Sequence, residues 1–366
     1  MRGKSARSAS IPVFLPSPPI SFNPINHTLS STFTHLTPDP SRQLHLISQS
    51  ILTFSMFSPI FLQLVLTISY AASSPIQRRA LSQNDITGLQ VASYLENMEL
   101  SLYTDGCERI DNAQWLAAGF PSTFQHDICT IAQQQQNQTG YISSMLETNG
   151  ISAPQACNYA FSYDTPTAFV RLANQITTIS LGYYLGSLNE FSPELQTVAA
   201  SLGSVEARHD AIVRNGMGAS PFPTNLDVPL SSVWAYNLAQ KYITSCPQTL
   251  PIDLLPPLAF NGMSGSTLDF GWSSGVNNLS TPSANNFSTP AGVPRQDLYL
   301  AIIHANISDP TYQKVQMTGQ GQGTVELPEG LSGVVYAALT ASSGDLTYHE
   351  LTTTGTLAGP AQLVLS

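Results

Sequence analysis

The sequence predicts an α+β multidomain chain, a four-helix bundle followed by a small C-terminal β-sandwich-like domain. Two observations carry that expectation. Over residues 82–256 apolar side chains recur every three or four positions, the period of an amphipathic helix, in four stretches of about twenty residues each. Past Pro251 that period gives way to short runs of β-branched and aromatic residues parted by turn residues, as in a small sandwich.

The first helix opens at Ser82-x-x-Asp85, a capping signature, and continues through Ile86, Leu89, Leu95, Met98 and Leu102. The second covers about 122–148, with Ile128, Ile131, Ile142 and Met145 as its stripe and Asn149-Gly150 as its stop. The third covers about 165–188 and carries Phe169, Leu172 and Ile176. The fourth begins at Ser192-Pro193-Glu194, with Ser as cap, Pro at the first position and Glu at the positive helix end, and runs to about Gly216. A shorter helix is expected over 231–242. In the C-terminal domain, 257–366, strands are expected at 297–304, 312–318, 323–327, 333–341, 346–352 and 362–365. The Gly/Ser/Asn-rich stretch 261–294 reads as loop with at most one strand.

The N-terminal 55 residues are rich in Ser, Pro, Thr and His and lack periodicity, so they read as a disordered extension upstream of the true start. Met56 opens MFSPIFLQLVLTISYAASS, an apolar run ending in small residues. Residues 56–71 therefore read as a secretory signal peptide, and 72–81 as a linker with the dibasic pair Arg78-Arg79. An uncleaved membrane anchor over 51–72 or a mitochondrial leader are the alternatives. Charged residues make up only 10% of the chain. Beyond Arg79, seven basic face 22 acidic residues, a net charge of −15 that excludes phosphate-backbone binding. Sequons at Asn137, Asn278, Asn286 and Asn306 fit a secreted glycoprotein, with modification expected at the last three. The four cysteines, Cys107, Cys129, Cys157 and Cys246, permit two disulfides in three connectivities. The pairing adopted is Cys157–Cys246 with Cys107–Cys129.

Polar residues on apolar stripes mark the candidate site. In the fourth helix Leu195, Ala199 and Leu202 lead to Glu206 and His209, which are i, i+3 neighbours on one face. Burying that carboxylate requires a cation or strong donors, so a metal, a Glu206–His209 pair or Arg208 are all candidate partners. In the first helix Glu96 shares a stripe with Leu89, Ala92, Leu100 and Tyr103, while Glu99 falls at its edge and reads as a solvated carboxylate.

The segments LENMELSLYTDG, CNYAFSY, YYLGSL and SVEARHDAIVRNGMGASPFPTNLDVPLS resemble the fungal and plant ferritin-like proteins called desiccation-related or stress-response proteins. That resemblance implies a ferritin-like bundle, in which two helices each supply a Glu and two each supply a Glu-x-x-His to a dimetal centre. Carried over, Glu96, Glu206 and His209 match three of those ligands. The second-helix pair falls on Gln135 and Gln138, and the third-helix Glu on Thr177, which are poor ligands for a transition metal. The implied site holds no metal or a single divalent ion (Fe, Mn or Zn), and a closed iron-storing cage is not expected. Three functions follow as expectations: a secreted, non-enzymatic stress protein; a metal-dependent oxidase or peroxide-handling enzyme; and a cell-wall, carbohydrate or membrane-surface binder acting through the β domain.

Overall fold

Ser82 caps the first helix as its spacing to Asp85 predicts. Its Oγ accepts from the Asp85 backbone N–H at 3.1 Å, and the Asp85 carboxylate accepts from the Ser82 N–H at 3.0 Å. The computed structural model describes residues 80–273, 297–304 and 310–365, all within one compact unit spanning 78–366. The extension, the signal-peptide segment and Asn278, Asn286 and Asn306 lie outside the described residues.

The bundle is built from α1 (Gln83–Arg109), α3 (Phe124–Glu147), α4 (Pro166–Gly186) and α5 (Pro193–Gly216). Between α1 and α3 lies a short helix, α2 (Asn112–Ala117), capped by Asp111 with Gln114. It delivers Trp115, fully buried, into a cluster with Phe120, Phe124 and Phe169, ring centroids 4.9, 5.0 and 5.9 Å away. Ser192 occupies the cap position of α5, but its side chain makes no capping bond. Its backbone N–H donates instead to Asp85 Oδ1 at 2.8 Å, so one carboxylate ties the starts of α1 and α5 together.

Helix α1 sits in the middle. Every residue from Val91 to Glu99 is buried, because α3, α4 and α6 (Ser232–Ala239) surround it. A helix enclosed on all sides has no solvent face, and that is why Glu99 is not the solvated carboxylate expected of a stripe's edge.

Close approach shapes α4. The Leu230 N–H donates to Gly182 O at 2.7 Å, which lays the Val228–Leu230 backbone against the helix. A Cβ on Gly186 would stand 2.1 Å from Leu230 O. Gly186→Ala is therefore expected to lower stability by about 1–3 kcal/mol through overpacking against backbone. A urea midpoint shifted down checks this, and an unchanged midpoint would show that the segment can move away.

Two disulfides are present. Cys107–Cys129 joins α1 to α3, and Cys157–Cys246 joins the segments flanking a two-stranded ribbon, β1 (Asn158–Tyr159) with β2 (Ile243–Ser245).

The C-terminal part forms two antiparallel four-stranded sheets. One has the order β10-β9-β5-β6, from Ala358–Leu365, Gly333–Thr340, Tyr299–Ile303 and Thr311–Lys314. The other has the order β3-β4-β8-β7, from Leu258–Ser264, Thr267–Trp272, Gln322–Glu326 and Gln316–Gly319. Leu300, Ile302, Val335, Ala337 and Leu339 meet Leu268, Phe270 and Val325 in the sandwich core. The alternate residues Ala301, Ile303, Tyr336 and Ala338 join the core of the bundle. Helices, first sheet and second sheet thus stack as three layers, and the middle sheet is buried on both faces.

Three expectations change here. The stretch 261–294 contributes most of a hairpin, β3–β4, turning at Gly265 with φ +61°. The run 312–318 is two strands in different sheets, parted at Val315, which is buried in the sandwich core. The run 346–352 is a helix, α7 (Tyr348–Glu350), continuing as a π-turn over Leu351–Gly355. Thr347 with Glu350 forms a capping box there, a Thr-x-x-Glu signal that overrides the β-branched composition.

Candidate functional site: a carboxyl–amide cluster in the bundle core

Four helices bring eight polar side chains to one level of the core. Glu96 and Glu99 come from α1, Gln135 and Gln138 from α3, Thr177 and Tyr184 from α4, and Glu206 and His209 from α5, all buried. Glu99 joins Glu206 and His209 rather than Glu96. One ligand atom from each of these three lies within 4.8 Å of the others, the described residues' one group of a kind that could hold a metal ion. Glu96 stands apart, accepting from Tyr184 Oη. The sequence signal for Glu99 was its i, i+3 relation to Glu96 and its place between Leu95 and Leu102.

The Gln135 amide nitrogen sits at the focus of the three. It lies 2.9 Å from Glu99 Oε2, 3.1 and 3.2 Å from the two Glu206 oxygens, and 3.5 Å from His209 Nδ1. Gln138 Nε2 donates to Glu206 Oε1 at 3.3 Å. Thr177 Oγ1 donates to Glu99 Oε2 at 3.2 Å and lies 2.7 Å from Tyr103 Oη, so the protons run from Tyr103 to Thr177 to Glu99. All three residues standing at substituted ligand positions, Gln135, Gln138 and Thr177, thus donate to the surviving carboxyls. On the far side, His209 Nε2 meets Gln134 Oε1 at 2.7 Å. A carbonyl oxygen only accepts, so Nε2 carries the hydrogen, and the Nδ1 lone pair faces Glu206 Oε2 at 3.3 Å. Arg208 is exposed and donates to Ser204 O, so it does not neutralise Glu206.

An amide nitrogen has two hydrogens, and here four acceptor atoms compete for them. The shortage is met by protons on the carboxyls. Burial pushes the Glu206 pKa up to about 7, with the bonds from Gln135 and Gln138 pulling the other way. Burial, then the charge of Glu206, raises Glu99 and Glu96 well above the usual carboxyl range. Burial lowers His209 to about 4, so at neutral pH the imidazole supplies no positive charge.

A raised carboxyl pKa means that the folded chain holds the proton more tightly. The associated stability is complete below the unfolded value of 4.5 and is lost as pH rises towards the folded value. His209 acts oppositely, losing its contribution as pH falls from 6.5 towards 4. Between about pH 6 and about pH 7 the carboxyls dominate, so protein in chelator is expected to lose stability as pH rises, by no more than about 1.4 kcal/mol per unit from Glu206. Thermal unfolding across that range checks the sign; a midpoint that climbs with pH would contradict it.

The donor set does not fit a dimetal centre. Glu99, Glu206 and even the more distant Glu96 give three carboxyls with one imidazole, and the remaining positions are neutral amides and a hydroxyl. The residues that could hold a single ion are Glu99, Glu206 and His209, which revises the first-helix member from Glu96.

Outside the cluster, Asn137 is exposed although its neighbour Gln138 is buried, so that sequon faces solvent. His304 bonds Ser332 O at 2.6 Å, a structural contact.

A four-helix bundle with carboxyls from α1 and α5 and a Glu-x-x-His on α5, all at one core level, has the architecture of the ferritin-like class. Residues 84–219 match the family model described as Ferritin-like domain, so the chain carries such a domain, followed by β-sheets. The chain is also similar to Protein rds1 of Schizosaccharomyces pombe, 25% identical over 290 residues that cover 68% of this chain and 69% of that protein.

Proposed function

We propose that this is a secreted ferritin-like protein of the desiccation and stress-response kind, acting without catalysis. In this reading its core site has become a proton-sharing network rather than a metal centre. The observation that carries it is the Gln135 amide nitrogen, which stands within hydrogen-bonding distance of Glu99, Glu206 and His209 together, where a bound cation would otherwise balance them. The stress-related part rests on the resemblance of segments such as SVEARHDAIVRNGMGASPFPTNLDVPLS to the desiccation-related proteins. Two disulfides suit an oxidising compartment, and no helix among the described residues is long and apolar enough to cross a membrane.

A metal-dependent oxidase is the second reading, favoured by the grouping of Glu99, Glu206 and His209. Incubating purified protein with iron(II) in air separates the two. The proposal expects iron oxidation at the rate of buffer alone; acceleration that disappears in Glu206→Ala would replace it with the enzyme.

A further inference from the structure

Asn137-Gln138-Thr139, in the middle of α3, is an acceptor triplet for N-linked sugar. Successive residues of a helix turn by about 100°, so Gln135, two residues earlier, points to the opposite side from Asn137. Gln135, Gln138 and Ile142 are buried against the bundle, and Asn137 is exposed. Its side-chain amide makes no hydrogen bond among the described residues, so a modification there breaks nothing.

The neighbours on that face leave room for a bulky polar group. Gly140 and Tyr141, three and four residues on, lie beside Asn137 on the helix surface. Glycine is unfavourable in a helix interior, yet a Cβ on Gly140 would meet no other element within 4 Å. Packing therefore does not call for glycine there, and its bare backbone leaves the surface next to Asn137 open. Tyr141 is 51% exposed. No charged residue lies between Asp127 and Glu147, so only amides and hydroxyls solvate the exposed side of this stretch.

We propose that Asn137 carries an N-linked oligosaccharide, a hydrated group that covers Tyr141 and the uncharged surface around it. This rests on the secreted reading above, since the donor, a lipid pyrophosphate-linked oligosaccharide, is met in the secretory pathway. In the transfer the Asn137 amide nitrogen bonds to the anomeric carbon of the first sugar. The bond from that carbon to the pyrophosphate oxygen breaks, and the amide gives up one proton as the lipid pyrophosphate leaves. The Thr139 hydroxyl oxygen is buried in the fold, so the transfer precedes the docking of α3 against α1.

The full chain, expressed in a eukaryotic secretory host, tests this in two forms: with its own N-terminus, and behind a cleavable signal peptide that directs it into the pathway. An amidase that frees N-linked sugar is applied in heavy-oxygen water, and the peptide containing position 137 is read by mass spectrometry. Heavy-labelled aspartate at position 137 is expected in most copies of both forms. Asn137→Gln, an exposed position, is expected to remove one amidase-sensitive mobility step from the intact protein. Unmodified asparagine at position 137 of the directed form overturns the proposal whatever the native leader does. A modified directed form beside a native form that stays unmodified inside the cell removes the secreted reading instead, and the sugar on Asn137 with it.

Discussion

Gln135→Glu is expected to make the stability of this protein depend on divalent metal. In the native core the Gln135 nitrogen donates to Glu99 and Glu206 and stands 3.5 Å from His209 Nδ1. The substitution removes that donor and sets a further carboxyl among two buried ones, with no cation near. Breaking a buried polar pairing so that charge is left uncompensated costs about 3–5 kcal/mol. For a unit of this size that lowers the unfolding midpoint by on the order of 10 °C in chelator. With the new carboxyl the site offers three carboxylates and one imidazole, a set suited to zinc, manganese or iron(II). Adding one of these ions at a hundredfold excess over its dissociation constant returns about 2.7 kcal/mol by linkage. The wild-type midpoint is expected to be the same with zinc as with chelator. Gln135→Leu, which removes the donor and adds no ligand, is expected to be destabilised in both media without rescue of that kind. A Gln135→Glu protein indifferent to metal would mean that the amide does not hold the cation's place.

The second large effect belongs to Cys157–Cys246. This bridge closes a loop of 89 residues that contains α4, α5 and α6, whereas Cys107–Cys129 closes 22. The chain-entropy account assigns roughly 4–5 kcal/mol to the longer closure and about 3 kcal/mol to the shorter. Cys157→Ser with Cys246→Ser is therefore expected to cost more than the corresponding change at the other bridge. The loss should be felt first at the β1–β2 ribbon and at the Ala160 N–H bond to Tyr242 O, 2.8 Å long. Urea unfolding of the two double variants measures the difference; equal costs, or less than about 1 kcal/mol for the longer loop, would contradict the entropic argument.

The bundle was legible in the sequence because its helices carry explicit punctuation. Ser82-x-x-Asp85, Thr165-Pro166 and Ser192-Pro193 sit where α1, α4 and α5 begin. Legibility failed where one signal masked another. The run 346–352 read as strand although Thr347-x-x-Glu350 caps a helix. Gly and Ser around Gly265 read as loop although they turn a hairpin. At the site, Glu206 and His209 were visible as polar residues on an apolar stripe. Glu99 was not, because a stripe analysis assumes one dry face, and α1 is enclosed on every side from Val91 to Glu99. Spacing within a helix could not show that Glu96 turns to Tyr184 while Glu99 turns to Gln135 and Thr177, since that depends on which helices are neighbours.

The account turns on Gln135 holding a place that a metal holds elsewhere in this class of bundle. Elemental analysis of the wild-type chain, purified without chelator from cells supplied with iron, manganese and zinc, tests it most directly. The account predicts each of the three far below one atom per chain. One iron, manganese or zinc atom per chain, lost on Glu206→Ala, would contradict it.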